Sequence, residues 1–371
     1  MALPLVAQGN SETWSYTRPP YWTLPVRNLA SVMNESSKRF RTLLAWSIVI
    51  SVGLALAAGS PAGATDTVVA HLQEPSSIRT YAGVQVFSVF AEGAYHLGVL
   101  RAGNVELLPV PSSPAPFAAD IGPDRESRPQ VIYTRCKTAR RDCDLFVFSL
   151  SSGAGEQPVR GANTSANEVA PTIWKDRIVF ARQSRGHRRA FVYTRKLSAP
   201  LSRPSERLLA VPRRRREERG KPVVVVELEL SGDDLAQIVD LTVSTEVRLV
   251  DVIRHSSRLI DRAGVGEAGQ HFSGIGFASG YLAWAFGGAI GENAGIYRYR
   301  LSTGERSHAP FPRVVDYNAA GLALFAANGA YIIDAQPDTG GCGGDPDAVP
   351  PVVRPCQVIR SQPLQFRRIR R

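Results

Sequence analysis

One short pattern recurs six times between residues 97 and 369: an apolar strand, a turn rich in Gly or Ser, and a second strand. The segments are LGVLRAGNVELLPV, LFVFSLSSGAGEQPV, FVYTRKLSAPLSRPSERLL, VRLVDVIRHSSRLI, IYRYRLSTGERSHA and CQVIRSQPLQFRRI. Their turns fall near residues 103, 153, 198, 256, 304 and 361, so the interval runs from 45 to 58 residues. Each interval has room for four strands, and a beat of roughly 40–50 residues with four strands per unit marks the blades of a β-propeller. No window of a dozen residues carries a helical period. The 32 Gly and 26 Pro are spread along the chain, which suits many short strands joined by turns.

Further strands fill the intervals. TIWKDRIVFA, GIGFASGYLAWAF and AAGLALF each set Asp or Gly at a turn before an apolar strand. In YLAWAF the large Leu282, Trp284 and Phe286 alternate with Ala283 and Ala285, so one face is bulky and the other small. In IYRYRL, Tyr297 and Tyr299 oppose Arg298 and Arg300, which reads as an outer strand wetted on one side. Asn328-Gly329 is a tight-turn signal. Two β-sandwich domains would also alternate, but nothing in a sandwich requires this beat over some 290 residues. The expected fold is therefore all-β, a propeller of six four-stranded blades. A ring must hide the edges of its terminal blades. Thr67–Leu72 has no hairpin partner of its own, and residues 67–72 are expected to pair with the C-terminal blade.

The N-terminus carries an address. Lys38, Arg39 and Arg41 lead into the apolar run Leu43–Ala58, followed by Ala62-Gly63-Ala64. A basic flank, a short apolar stretch and small residues at A-x-A spacing describe a secretory signal over 33–64, cleaved after Ala64. Retention of residues 43–58 as a membrane tether is the competing reading, although a 16-residue run containing Ser47, Ser51 and Gly53 is short for a span. Met33 sits just ahead of the basic cluster, so residues 1–32 read as an over-long extension or a disordered tail, and the propeller as 65–371. All four cysteines follow residue 64. Even cysteines in an exported chain pair, here as Cys136 with Cys143 and Cys342 with Cys356. Metal binding by these thiols is disfavoured because none of the six histidines neighbours a cysteine.

With the repeats laid out, the chain resembles the TolB-type, WD-repeat-like propellers. Residues 170–181, APTIWKDRIVFA, are similar to that family's P-x-W-S-P-D-G-x-x-I-A-F motif: Pro171, Trp174, Asp176 and Ile178-Val179-Phe180 match, while the Gly after the Asp is lost. Residues 295–305, GIYRYRLSTGE, resemble its outer strand I-Y-x-x-D-L-x-T-G-E, with Arg300 where Asp is usual. The resemblance implies a six-bladed, extracytoplasmic, non-enzymatic interaction domain.

Motifs for catalysis are missing. There is no G-x-S-x-G elbow, no H-E-x-x-H, and Gly340-Gly341-Cys342-Gly343-Gly344 lacks the Lys-Ser/Thr of a phosphate loop. Asp233-Asp234 follows Ser231-Gly232 and serves turn chemistry. Asp345 and Asp347, in a Gly/Pro loop, fit no calcium-loop spacing. No cofactor or metal is expected. The net charge of +11 favours loose contact with anionic polymers. Arg213, Arg214, Arg215, Arg216 and Arg219, in a Pro- and Arg-rich insertion at about 199–222, are the candidate polyanion contact, set against a solvated loop with Glu217 and Glu218 as its own counter-charges. Nucleic acid is not expected, because no aromatic platform is interleaved with these arginines. The expected function is a binding or scaffold module of the cell envelope, with a protein or an anionic envelope polymer as partner. The alternative is a glycan-acting hydrolase or lyase, which would need two or three acidic or His side chains converging on the central funnel.

Overall fold

Two-residue turns set the meander. Ala102-Gly103 and Ser279-Gly280 place both residues at positive φ, 49° and 82° in the first turn and 51° and 77° in the second. That left-handed twist matches the twist of the strands it joins, and Gly meets it without steric cost. The computed structural model describes residues 65–371 except 75, 139–140, 184–189, 209–222, 242–243, 265–270, 288–292, 313–314, 316–318, 335–343, 346–351, 354 and 370–371. The signal segment, the arginine run 213–219, Cys342 and Asp347 lie outside the described residues.

The chain opens with β1 (Thr65–Leu72). Blade one is β2 (Ile78–Tyr81), β3 (Val84–Ala91), β4 (Ala94–Arg101) and β5 (Asn104–Leu107). Blade two is β6 (Ala118–Pro123), β7 (Pro129–Thr138), β8 (Arg141–Ser149) and β9 (Glu156–Pro158). Blade three is β10 (Asn167–Trp174), β11 (Arg177–Gln183), β12 (Phe191–Lys196) and β13 (Glu206–Arg207). Blade four is β14 (Val224–Ser231), β15 (Asp234–Asp240), β16 (Ser244–Asp251) and β17 (Ser256–Gly264). Blade five is β18 (His271–Ala278), β19 (Tyr281–Gly287), β20 (Gly295–Arg300) and β21 (Arg306–Pro310). The last stretch supplies β22 (Ala319–Ala326), β23 (Gly329–Asp334), the small hairpin β24 (Gly344–Asp345) with β25 (Val352–Val353), then β26 (Cys356–Gln362) and β27 (Arg367–Arg368).

Every blade is an antiparallel sheet, and the innermost strands β2, β6, β10, β14, β18 and β22 touch in a closed cycle. The protein is a six-bladed β-propeller. Closure runs through the N-terminal strand as expected: blade six has the order β22-β23-β26-β1, with Asp66 opposite Ser361 and Leu72 opposite Cys356. The hairpin expected near Ser361 does not form. β1 already occupies the outer edge of β26, so the chain leaves after Gln362, and Arg367–Arg368 pairs instead with β21 of blade five. A second correction concerns Asn328-Gly329. Ala326 pairs with Gly329, so the turn is Ala327-Asn328, and Gly329 is already strand. Its missing side chain accommodates the Phe325 ring, which a Cβ would meet at 2.6 Å.

Six apolar clusters, one between each pair of adjacent blades, form the core of the described residues. β19 feeds two of them. Leu282 and Trp284 pack toward blade four, while Ala283 and Ala285 let blade six come close. The small face of that strand is thus an inter-blade surface. β20 departs from its reading as a strand wetted on one side. Arg298 stacks over Phe366 at 3.9 Å and donates to the Ala327 carbonyl, so its guanidinium ties the C-terminus and blade six to blade five. Segment 199–208, expected within the insertion, carries the outer loop and outer strand of blade three. Cys136 and Cys143 face each other across the β7–β8 hairpin and are disulfide-bonded, with Cα atoms 3.9 Å apart. Cys356 is also disulfide-bonded.

Candidate functional site: a charged plug across the central channel

The inner strands all run the same way, so their N-terminal ends line one mouth of the channel and their C-terminal ends the other. Small residues at the first mouth, among them Ser77, Ala118, Ala170, Ser273 and Ala320, surround a cavity of about 150 Å³. The cavity at the other, wide mouth is the larger of the two that carry the channel's charged residues, about 370 Å³, and is walled by Tyr81, Trp174, Phe277 and Phe325. Close approach of backbones keeps the ring narrow. A Cβ on Gly274, which sits at φ 59°, would lie 2.3 Å from the Leu322 nitrogen.

Between the mouths a guanidinium bridges opposite sides of the ring. Arg79 of β2, 3% exposed, reaches across the channel to β14 of blade four. Its Nη1 is 2.8 Å from Glu227 Oε1, its Nε 2.6 Å from Glu229 Oε2 and 4.0 Å from Asp120 Oδ1. It also donates to the carbonyls of Ile78 and Leu228, at 2.9 and 3.4 Å. The period of two explains β14: Leu228 and Leu230 enter the core against blade three, which turns Glu227 and Glu229 to the other face. There the backbone N–H groups of Gly274 and Ile275 donate to Glu227, and that of Phe277 to Glu229. Asp120 of β6 accepts from Thr172 Oγ1 at 2.6 Å and from the Ile173 and Ile121 amides at 2.8 Å. Thr172 in turn accepts from the Leu230 amide, so blades two, three and four are laced together beside the plug.

Three carboxylates meet one guanidinium here, and burial dominates their protonation. It raises Asp120 and Glu227 against the pull of Arg79, and drives Glu229 up to about 8. Burial works against the charge on Arg79, but Glu227, Glu229 and Asp120 together hold it firmly protonated. The donors do not suffice. Glu227 Oε2 has no hydrogen-bond donor, and Glu229 Oε2, though in ionic contact with Arg79 Nε, lies off the N–H direction. Among the described residues, no group of three His, Cys, Asp or Glu is placed to hold a metal ion.

None of these four charged residues stood out in the sequence. In ELEL the acids alternate with leucines as on any strand wetted on one side, and nothing local marks Arg79. The singled-out Asp233 lies in an exposed turn bonded to Arg177 at 2.6 Å, in keeping with the turn reading, and its neighbour Asp234 is raised by burial. Cys136 and Cys143 lie on blade two, away from the plug.

No family model matches the chain, and no curated protein is similar to it. Among solved structures it is similar to TolB from Acinetobacter baumannii, at 13% identity and TM-score 0.48 over 77% of this chain and 66% of that one. It is also similar to a puromycin-hydrolyzing peptidase of Mycobacterium tuberculosis, at 12% identity and TM-score 0.48 over 82% of this chain and 53% of that one. A third likeness is to a nidogen/laminin complex, at 11% identity and TM-score 0.44 over 71% and 85%. The propeller assignment itself stands on this chain's own strand order.

Proposed function

We propose that this propeller is a non-catalytic, extracytoplasmic binding module of the cell envelope, and that its partner is a protein docking on the wide mouth of the channel. The observation that carries the reading is that, among the described residues, Asp120, Glu227 and Glu229 are each tied to the ring by at least one oxygen. Asp120 is bonded to Thr172 and two amides, and Glu227 and Glu229 to Arg79 and the backbone of β18. Carboxylates so bound hold the ring together and are poorly placed to attack a substrate. The Cys136–Cys143 disulfide supports an oxidising compartment. The test is site-specific photo-crosslinking in cells. A photoreactive residue at Tyr81, on the wide mouth, should give a discrete protein adduct, and one at Val105, on the outer edge of blade one, should not. Adducts at the edge alone, or an adduct with an envelope polysaccharide, would overturn the docking site.

One observation favours a second reading, a glycan-acting hydrolase or lyase. Three acids do converge on the channel, and Glu229, pushed up to about 8, would keep a proton to donate at neutral pH. That reading requires turnover of an envelope polysaccharide by the full chain, abolished by E229Q and declining as pH rises past 8. Absence of turnover across a panel of neutral, acidic and aminated glycans removes it.

A further inference from the structure

The wide mouth combines an aromatic wall with an acidic floor. Its walls are aromatic: Tyr81 and Trp174 stand edge to face with centroids 6.3 Å apart, and Phe277 and Phe325 complete the rim. Its floor is acidic, formed by Asp120 and Glu229. At that floor three carboxyls share one guanidinium, since Arg79 is the one cation among the described residues in ion-pair contact with Asp120, Glu227 and Glu229. Glu227, 7% exposed and lining the first mouth, keeps an oxygen with no donor, and Glu229 Oε2 has only its ionic contact with Arg79 Nε. Buried acceptors left without donors are rare in native proteins, and each costs free energy until something donates to it. Aromatic faces attract a cation within about 6 Å of the ring centre, most strongly when water is excluded. A cavity of about 370 Å³ has room for one side chain or a few residues of a peptide, not for a folded segment.

Building on the docking reading above, we infer that the wide mouth is a recognition pocket for a cationic side chain, a lysine ammonium or an arginine guanidinium, projected by the protein partner. The cation approaches the Glu229 carboxyl on the cavity floor and lies against the Trp174 and Tyr81 rings. An anion meets only carboxyls on the floor, and a neutral apolar side chain gains nothing from them. Because Glu229 holds its proton at neutral pH, an arriving cation displaces part of it, and binding releases protons to solvent.

The probes are the blocked tripeptides Ac-Gly-X-Gly-NH₂ with X as Lys, Arg, norleucine or Glu, titrated calorimetrically into the full chain. Lys and Arg peptides are expected to bind at least tenfold more tightly than norleucine, with no binding by Glu. Their heats should vary with the ionisation enthalpy of the buffer at pH 7, as proton release demands. W174L, at a half-buried rim position that also packs against the cluster between blades three and four, should weaken the Lys peptide about fivefold, and E229Q about tenfold with loss of the buffer dependence. The norleucine comparison uses the unaltered protein, so misfolding of a variant cannot mimic failure. Equal affinity for norleucine and lysine would overturn the cation while leaving a mouth-docked partner intact. A Tyr81 adduct missing from cells would instead remove the docking reading. Free n-butylammonium binding as tightly as the Lys peptide would overturn the assignment to a side chain.

Discussion

Replacing Arg79 by Met tests whether the channel plug is a structural charge balance. The methionine keeps most of the aliphatic stem and removes the single cation facing Asp120, Glu227 and Glu229. Breaking a buried ion pair from one side destabilises by roughly 3–5 kcal/mol, because the remaining charge is stranded. An unfolding entropy of about 2.1 cal/mol/K per residue, over about 300 residues, gives about 0.6 kcal/mol/K, so a loss of about 4 kcal/mol lowers Tm by about 6 °C. The sign of the pH dependence follows from the carboxyls. All three are already raised by burial, and losing Arg79 raises them further. A folded-state acid with a raised pKa binds protons that the unfolded chain has released, so stability falls as pH rises through the interval between the two values. The gap between R79M and the parent should therefore be smaller at pH 5 than at pH 8, because more carboxyl charge is left without its cation at the higher pH. The assay is differential scanning calorimetry of both proteins at pH 5, 6.5 and 8, with R79M/D120N/E227Q/E229Q as the neutralised control, which should recover most of the loss at pH 8. A drop below about 1 °C at pH 8, or a gap that does not change with pH, would refute the charge-balance argument.

Three other outcomes follow from the same structure. Deleting residues 65–73 removes β1, takes Leu72 out of the core and bares the β26 edge, so the truncated chain should aggregate or lose well over 2–3 kcal/mol in denaturant melts; cooperative melting at the parent's Tm would disprove closure through β1. C136S/C143S should cost about 2 kcal/mol, since the bridge closes a short loop on a hairpin already paired; chemical denaturation with and without reductant measures it, and no difference would make the bridge structurally idle. Glu229, at about 8 when folded and near 4 when unfolded, makes the parent lose up to about 1.4 kcal/mol per pH unit across that window, with no further loss above it. E229Q should flatten that slope in urea midpoints measured from pH 5 to 9, and an unchanged slope would assign it to other groups.

Strands, turns and blade faces were legible in the sequence because each is a local matter. Whether residues 282–286 alternate large and small, or Ala102-Gly103 closes a hairpin, depends on neighbours a few positions away. Even the ring closure could be read from a strand at 67–72 that lacked a partner. The expected Ser361 hairpin failed because its edge was claimed by a strand some 290 residues earlier, a competition invisible in the local pattern. The channel plug was hidden for the same reason. Glu227 and Glu229 alternate with leucines as they would on any solvated strand, and only closure of six blades turns that face inward, where Arg79 arrives from the opposite side of the ring. Sequence fixes which residues are polar and which way they alternate. The tertiary structure decides whether a polar face meets water or another charge, and the cost of burying a carboxylate makes that distinction worth several kcal/mol.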